Sequence, residues 1–198
     1  VSQVDSEYIL LLNNDTEVIS EEWLTAMLEH AEREEVGAVG AKLLFPNGKI
    51  QHCGIILGLG RHRVAGHPYY KYPDHNGYFG VVNEIRNYSA VTAACMMLRK
   101  AVFEEVCGFD ENLSVAFNDV DLCLRIREKG YLIVYTPYAK LYRHESLSRG
   151  YEDNLEKQTR FLKEVGYIRE KWGHVIDKGD PYYNPNLTLE KEDFSIKL

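Results

Sequence analysis

Three short stretches of this chain hold residue types that can do chemistry. The first, Asn13-Asn14-Asp15-Thr16-Glu17, follows directly on the apolar run Tyr8–Leu12, YILLL. In open α/β sheets ligands gather at the carboxyl ends of strands. A carboxylate there can hold a hard divalent cation, and the cation can hold a diphosphate. The same residues also suit an Asx-turn that introduces a helix, and spacing alone leaves both readings open. The second stretch, FNDVDLCLR over 117–125, sets Asp119 and Asp121 two apart at a helix start, where they point in different directions. One carboxylate could be a general base toward a hydroxyl. Both could instead complement the helix dipole, with Arg125 pairing Asp121 one turn on. The third, HESLSRG over 144–150, closes a strand. His144 has the chemistry of a metal ligand, and the Arg149 guanidinium suits a phosphate; each is equally an ordinary surface residue type.

These stretches need elements to position them. The run 8–12 reads as a strand buried on both faces. Ser20 is the expected N-cap of a helix over 21–34, whose Leu24, Met27, Leu28 and Ala31 follow helical spacing. Residues 37–45 form a second buried strand, 46–48 a turn, and 49–57 a returning strand. Residues 58–84 lack periodicity and carry His62, His67 and His75 among Tyr69, Tyr70, Tyr72 and Tyr78. A loop this long is functional or mobile. Aromatic rings with polar tips suit sugars, although an irregular polar loop needs no ligand to explain it. A strand over 91–98, a helix over 100–107 stopped by Gly108, and a helix over 119–129 capped by Asn118 and closed by Gly130 follow. Strands over 131–135 and 139–144, separated at Pro137, precede a helix over 152–172 closed by Gly173. Alternation of this kind indicates an α/β fold.

Composition narrows the function classes. At 198 residues the chain is long enough for one domain with a real core. A formal net charge of −7 argues against nucleic acid as partner. No apolar run has the length of a membrane span, and the first residues are not those of a signal peptide. Cys53, Cys95, Cys107 and Cys123 are widely spaced within apolar stretches, which predicts small buried thiols, reduced as in a cytoplasmic protein.

Taken in order, these segments resemble the family-2 glycosyltransferases of the GT-A fold. LLLNNDTEV over 10–18 resembles the family's strand and D-x-D motif. VTAACMMLRKAVFEEVCGFD over 91–110 resembles its acceptor-side strand and helix, and FNDVDLCLR its E-D region. YLIVYTPYAKLYRHESLSRG over 131–150 resembles its metal-histidine segment, and DPYYNPNLTLEKEDFS over 180–195 a tail of bacterial members that build surface polysaccharides, rhamnosyltransferases among them. The resemblance implies a mixed sheet flanked by helices in a single domain over 1–198, with 174–198 as an extended tail. It implies a nucleotide-diphosphate sugar as donor, a divalent metal (Mn or Mg), and a glycan or lipid-linked hydroxyl as acceptor. Asp15 and His144 would ligate the metal, Asn13, Asn14 and Arg149 would contact the donor, and Asp119 would be the catalytic base of an inverting transfer. Asn13 stands where the family often has an aspartate, and Asn118 where it has a glutamate.

Family members open with an S-I-V-I-P-T-Y-N-like strand and further strands that bind the nucleotide base. None precedes Tyr8 in this sequence. The expectation is therefore the C-terminal portion of a GT-A domain with its N-terminal nucleotide-binding strands missing. An uncovered sheet edge could then drive self-association, and the setting would be cytoplasmic, at the inner face of a membrane. Two other functions compete: a truncated, non-catalytic carbohydrate-binding or scaffolding module, and a glycoside hydrolase with paired carboxylates, which the wording of the motifs disfavours.

Overall fold

The computed structural model describes residues 5–144 and 155–197. The elements run β1 (Tyr8–Leu12), β2 (Thr16–Val18), α1 (Trp23–Ala31), β3 (Val36–Leu44), β4 (Ile50–His52), β5 (Ile56–Leu57), β6 (Ala65–Gly66), β7 (Arg86–Tyr88), β8 (Cys95–Arg99), α2 (Lys100–Glu105), α3 (Asn118–Glu128), β9 (Leu132–Arg143) and α4 (Leu155–Ile176). The main sheet has the order β1-β8-β3-β9-β2, with β4 beside the end of β3 and β7 beside the start of β9. Among the described residues, only β3 and β9 pair in parallel; the other ladders are antiparallel.

Side-chain alternation along the strands builds two apolar layers. Val39, Ala41, Leu43, Val134 and Leu141 join Met27 and Ala31 of α1 on one face. Ala38, Leu44, Ile133 and Tyr135 join Ile126 of α3 and Ile168, Trp172 and Ile176 of α4 on the other. The sheet is thus covered on both faces. A Cβ on Gly40 would stand 2.5 Å from Val91 Cβ, so glycine there lets the segment before β8 cross close over β3.

Several elements depart from the sequence reading. In β1 only Ile9 is buried and Leu12 is exposed, because the strand pairs with β8 alone among the described residues. The returning strand breaks at Cys53-Gly54-Ile55: β4 stays with β3, whereas β5 pairs with β6 in a separate two-stranded sheet. Gly54 makes that break with a φ of 105° and lies against the Tyr88 ring. The strand expected over 91–98 starts only at Cys95, and β2 and β7 are short strands that no periodicity announced.

Pro137 does not divide two strands. β9 runs through it as one, with its register to β3 shifting between Thr136 and Lys140, so the proline's missing N–H falls where no ladder bond is needed. Ser20 does not cap α1, which has Glu22 at that position. Its hydroxyl instead donates to Tyr138 O at 2.8 Å and accepts from Lys140 N at 2.9 Å, pinning the shifted stretch of β9. Asn118 is the first residue of α3 rather than its cap; Phe117 precedes it with a φ of 62°. α4 continues through Gly173 to Ile176, and the start expected for it at residue 152 lies outside the described residues. Cys53, Cys95 and Cys123 are buried, but Cys107, in the turn after α2, is exposed.

The 58–84 segment is largely irregular yet anchored from two sides. Lys42, buried in β3, donates to Asp74 Oδ1 at 2.5 Å and Asn83 Oδ1 at 2.7 Å. From the C-terminal side, Phe194 stacks on Tyr69 and Tyr78 with ring centroids 5.2 and 5.8 Å apart.

Candidate active-site cleft

The chain leaves β1 at Asn13, whose N–H donates to Ala94 O at 2.9 Å, and turns back into β2. Thr16 Oγ1 closes that turn by donating to Asn13 O at 2.7 Å. β2 lies antiparallel to the end of β9, so Asp15 meets Arg143, the last residue of that strand, and His144 just after it. The His144 N–H donates to Asp15 O at 2.8 Å. Asp15 Oδ1 stands 3.5 Å from Arg143 Nε. That ion pair is too long and misaligned to be a hydrogen bond, and both atoms are buried without one among the described residues.

A cleft of about 660 Å³ opens beside this corner. Asn13, Arg143, Asp119, His62, His67 and Phe161 are among its walls. The 91–94 segment, which the sequence predicts as strand, supplies Thr92, Ala93 and Ala94 to the lining. Asp119 sits in the first turn of α3, where its Oδ2 accepts from Ala93 N at 3.3 Å and its Oδ1 from Val120 N at 2.9 Å. These two backbone donors orient its carboxylate. A larger cavity, about 980 Å³, lies between the end of α4 and the C-terminal segment and holds none of the expected site residues.

The two aspartates of the FNDVDLCLR stretch part company. Asp121 is wholly buried and accepts from Arg125 Nε at 2.8 Å, Trp172 Nε1 at 2.7 Å and Lys171 Nζ at 2.8 Å. It ties α3 to α4 and is not among the residues lining the cleft. Asn14 is exposed outside the cleft lining. The His144 side chain reaches Glu17 Oε2 at 3.0 Å. Arg149 lies outside the described residues. Of the loop aromatics, Tyr69, Tyr72, Tyr78 and His75 pack in the aromatic group around Tyr69 and Phe194, whereas His62 and His67 face the cleft.

Three contributors had no distinct signal in the sequence. Arg143 is the first; a cation directly before a strand-end histidine could have drawn notice. Glu164 of α4 is the second. It is buried and accepts from Ser114 Oγ at 2.9 Å and from the N–H groups of Val115 and Ala116 at 3.0 Å each. That clasp fixes the segment leading to Asp119. The third is His52, whose Nδ1 meets His67 Nδ1 at 2.9 Å. Burial foremost, then His67 and Arg143, holds the His52 imidazole neutral, well below the usual histidine range.

No three His, Cys, Asp or Glu side chains cluster as a ready-made metal cage among the described residues. A cation that takes most of its ligands from substrate phosphates and water needs only one or two protein carboxylates. Asp15 Oδ1, buried and without a hydrogen bond, has the character of such a ligand. No helix among the described residues is long and apolar enough to cross a membrane.

Residues 1–160 match the family described as Glycosyltransferase like family 2. An uncharacterized protein of Sinorhizobium fredii, y4gI, is 50% identical over 99% of this chain and 22% of its own length. The O-antigen biosynthesis protein RfbC of Myxococcus xanthus is 42% identical over 98% of this chain and 15% of its own. An N-acetylglucosaminyl-diphospho-decaprenol L-rhamnosyltransferase of Mycobacterium tuberculosis is 31% identical over 64% of this chain and 44% of its own. The chain therefore spans less than half the length of each of these relatives. Among solved structures, GalNAc-T7 with UDP, GalNAc and Mn2+ aligns over 86% of this chain and 32% of its own, with a TM-score of 0.60 at 11% identity. The mannosyltransferase PcManGT of Pyrobaculum calidifontis, in complex with GDP-Man and Mn2+, aligns over 87% and 41% with a TM-score of 0.53 at 14% identity. At such identities the likeness is one of fold, and the fold is GT-A.

Proposed function

The chain belongs to the glycosyltransferase-like family 2, and from that premise we propose that it transfers a sugar from a nucleotide-diphosphate donor to a hydroxyl of a glycan or lipid-linked acceptor, with inversion. The observation that carries this reading is that Asn13, Arg143 and Asp119, from three distant parts of the chain, wall one cleft. Asp15 Oδ1 stands 3.5 Å from Arg143 Nε.

Asp119 is the base in this reading. Held by the Ala93 and Val120 N–H groups, its carboxylate takes the acceptor hydroxyl proton as that oxygen attacks the anomeric carbon. The bond from that carbon to the diphosphate oxygen breaks on the opposite face, and the nucleoside diphosphate leaves. Arg143 offers a fixed cation to the departing diphosphate. Asp15, with His144 beside it, would hold a divalent cation (Mn or Mg), which when bound neutralises charge on the diphosphate. Asn13, Asn14 and Arg149 are donor contacts in the same scheme. The names of the RfbC and rhamnosyltransferase relatives support polysaccharide assembly on a lipid-linked acceptor, and a setting at the cytoplasmic face of a membrane is part of the same proposal.

Calorimetric titration with UDP or dTDP plus Mn²⁺ tests the donor half. Saturable binding that requires the metal and is abolished by Asp15→Ala is expected. Asp119→Asn should retain that binding while lowering any transfer rate by about 10²–10⁴. No binding of either nucleotide would reduce the family membership to ancestry and favour the non-catalytic carbohydrate-binding alternative.

A further inference from the structure

The larger cavity, of about 980 Å³, shares no lining residue with the cleft. Its size is that of a site for a small organic ligand, and folded chain bounds it. After α4, Asp180 turns inward, 8% exposed, and accepts from Leu57 N at 2.7 Å and Tyr182 N at 2.9 Å. Residues 186–197 then double back on themselves, with Thr188 N donating to Ser195 O and Lys197 N to Asn186 O, both at 2.8 Å. Gly60 N donates to Leu189 O at 3.0 Å and fastens this fold-back to the segment after β5.

Charge in the lining runs against the charge of the chain. The whole protein carries 23 Lys and Arg against 30 Asp and Glu. The cavity sets Arg63, Arg127, Lys178, Lys191 and Lys197 against Asp180 and Glu190, five cations to two carboxylates. Both carboxylates are engaged already, Asp180 by its two backbone donors and Glu190 by Arg63 Nη2 at 3.1 Å. Arg127 is held in place: its Nη1 donates to Ser89 Oγ at 3.0 Å, and its guanidinium lies 5.3 Å from the Tyr182 ring centroid. Lys178 and Lys197 are exposed and form no ion pair among the described residues. A concave wall with a surplus of one sign concentrates ions of the other. Ammonium and guanidinium groups together suit phosphate oxygens.

Between the charges the wall is chiefly aliphatic. Val175, Leu187 and Leu189 contribute to it, and Ile196, 71% exposed, adds more apolar surface. Such surface gains by covering methylene groups. Cations beside an aliphatic wall match an amphiphile with an anionic head.

We propose that this cavity is a binding site, apart from the cleft, for a phosphate ester with an aliphatic body. Lys178, Lys197 and Arg127 meet the phosphate, and Val175, Leu187, Leu189 and Ile196 cover the chain. The same chemistry is found in a glycerolipid head with its acyl chains and in the phosphate of a single-chain alcohol. The site does not rest on the transferase reading and stands or falls separately from it.

Calorimetric titration of the 198-residue chain with hexyl phosphate, methyl phosphate, inorganic phosphate and hexanol tests it. Hexyl phosphate is expected to saturate at least roughly tenfold tighter than methyl or inorganic phosphate, since each further buried methylene strengthens binding about fourfold. Hexanol, which lacks the charge, should bind more weakly than hexyl phosphate by a similar factor. The double variant Lys178→Gln, Lys197→Gln changes two exposed side chains and should melt with the parent. It should weaken hexyl phosphate roughly tenfold. Dihexanoyl phosphatidic acid separates the sources: tighter binding than hexyl phosphate assigns a glycerolipid, and weaker binding a single-chain phosphate. Inorganic phosphate binding as tightly as hexyl phosphate would reduce the cavity to a patch of surface charge and overturn the proposal. Hexanol binding as tightly would do the same by reducing it to an apolar gap. Hexyl phosphate binding unchanged in the double variant, or no saturation by any probe, would also overturn it.

Discussion

Glu164 offers a prediction whose size can be worked from three hydrogen bonds. It is 4% exposed, and its carboxylate accepts from Ser114 Oγ and Val115 N on one oxygen and from Ala116 N on the other. Hydrogen bonds to charged groups contribute about 1.5–3 kcal/mol each, and an orphaned buried donor costs about as much again in part. Glu164→Gln can keep one acceptor oxygen but must turn an NH₂ group toward the remaining N–H. One bond is lost and two donors face each other, which predicts a destabilisation of about 2–3 kcal/mol. For a chain of this length that lowers Tm by roughly 5–10 °C. Ser114→Ala removes only the hydroxyl bond and should cost about 0.5–1 kcal/mol. Glu164→Ala, losing all three bonds, should exceed both substitutions. Urea unfolding monitored by tryptophan fluorescence gives the ranking, since Trp172 lies two turns on along α4. A Glu164→Gln midpoint within about 0.5 kcal/mol of the parent would refute the idea that this carboxylate clamps the segment ahead of Asp119.

Two further outcomes follow from other buried polar groups. Asp121→Ala takes the acceptor from Arg125 Nε and the Trp172 N–H and leaves Lys171 to Asp110, and should cost about 3–5 kcal/mol in urea unfolding; a loss under about 1 kcal/mol would mean that Asp121 is not the tie between α3 and α4. His52 stays neutral in the fold, because burial and then His67 and Arg143 push its pKa well below 6.5. Below about pH 6.5 the unfolded chain takes up a proton that folded His52 refuses, so stability is present above that pH and is lost as pH falls. The slope approaches about 1.4 kcal/mol per pH unit. The parent should thus lose about 1 kcal/mol more than His52→Gln between pH 7.5 and 5.5, and equal losses would contradict a buried neutral His52.

Much of this protein is local and can be read from the chain. The largely apolar run 37–45 reads as a buried strand, and β3 is one over Val36–Leu44 with every residue buried; Gly130, with a φ of 92°, ends α3 where its sequence announces an end. The motif order from LLLNNDTEV to YRHES was enough to indicate the family and the GT-A fold, and it singled out Asp15, Asp119 and His144 as the residues of interest. The spacing of Asp121 and Arg125 also foretold their ion pair, since residues four apart on a helix are neighbours.

Tertiary structure alone decided what faces the cleft. Asp119 and Asp121 are chemically alike and two residues apart, yet one lines the cleft and the other is locked under Trp172. That division depends on where α4 packs, which no spacing within α3 encodes. YILLL has the composition of a central strand but lies at the end of the sheet order, because position in a sheet is set by partners and not by the strand itself. Pro137 reads as a breaker, but the register shift in β9 accommodates it. His52 and Glu164 have no local pattern to mark them. Their roles come from meeting groups 15 to 50 residues away, and only the packed core brings such groups together.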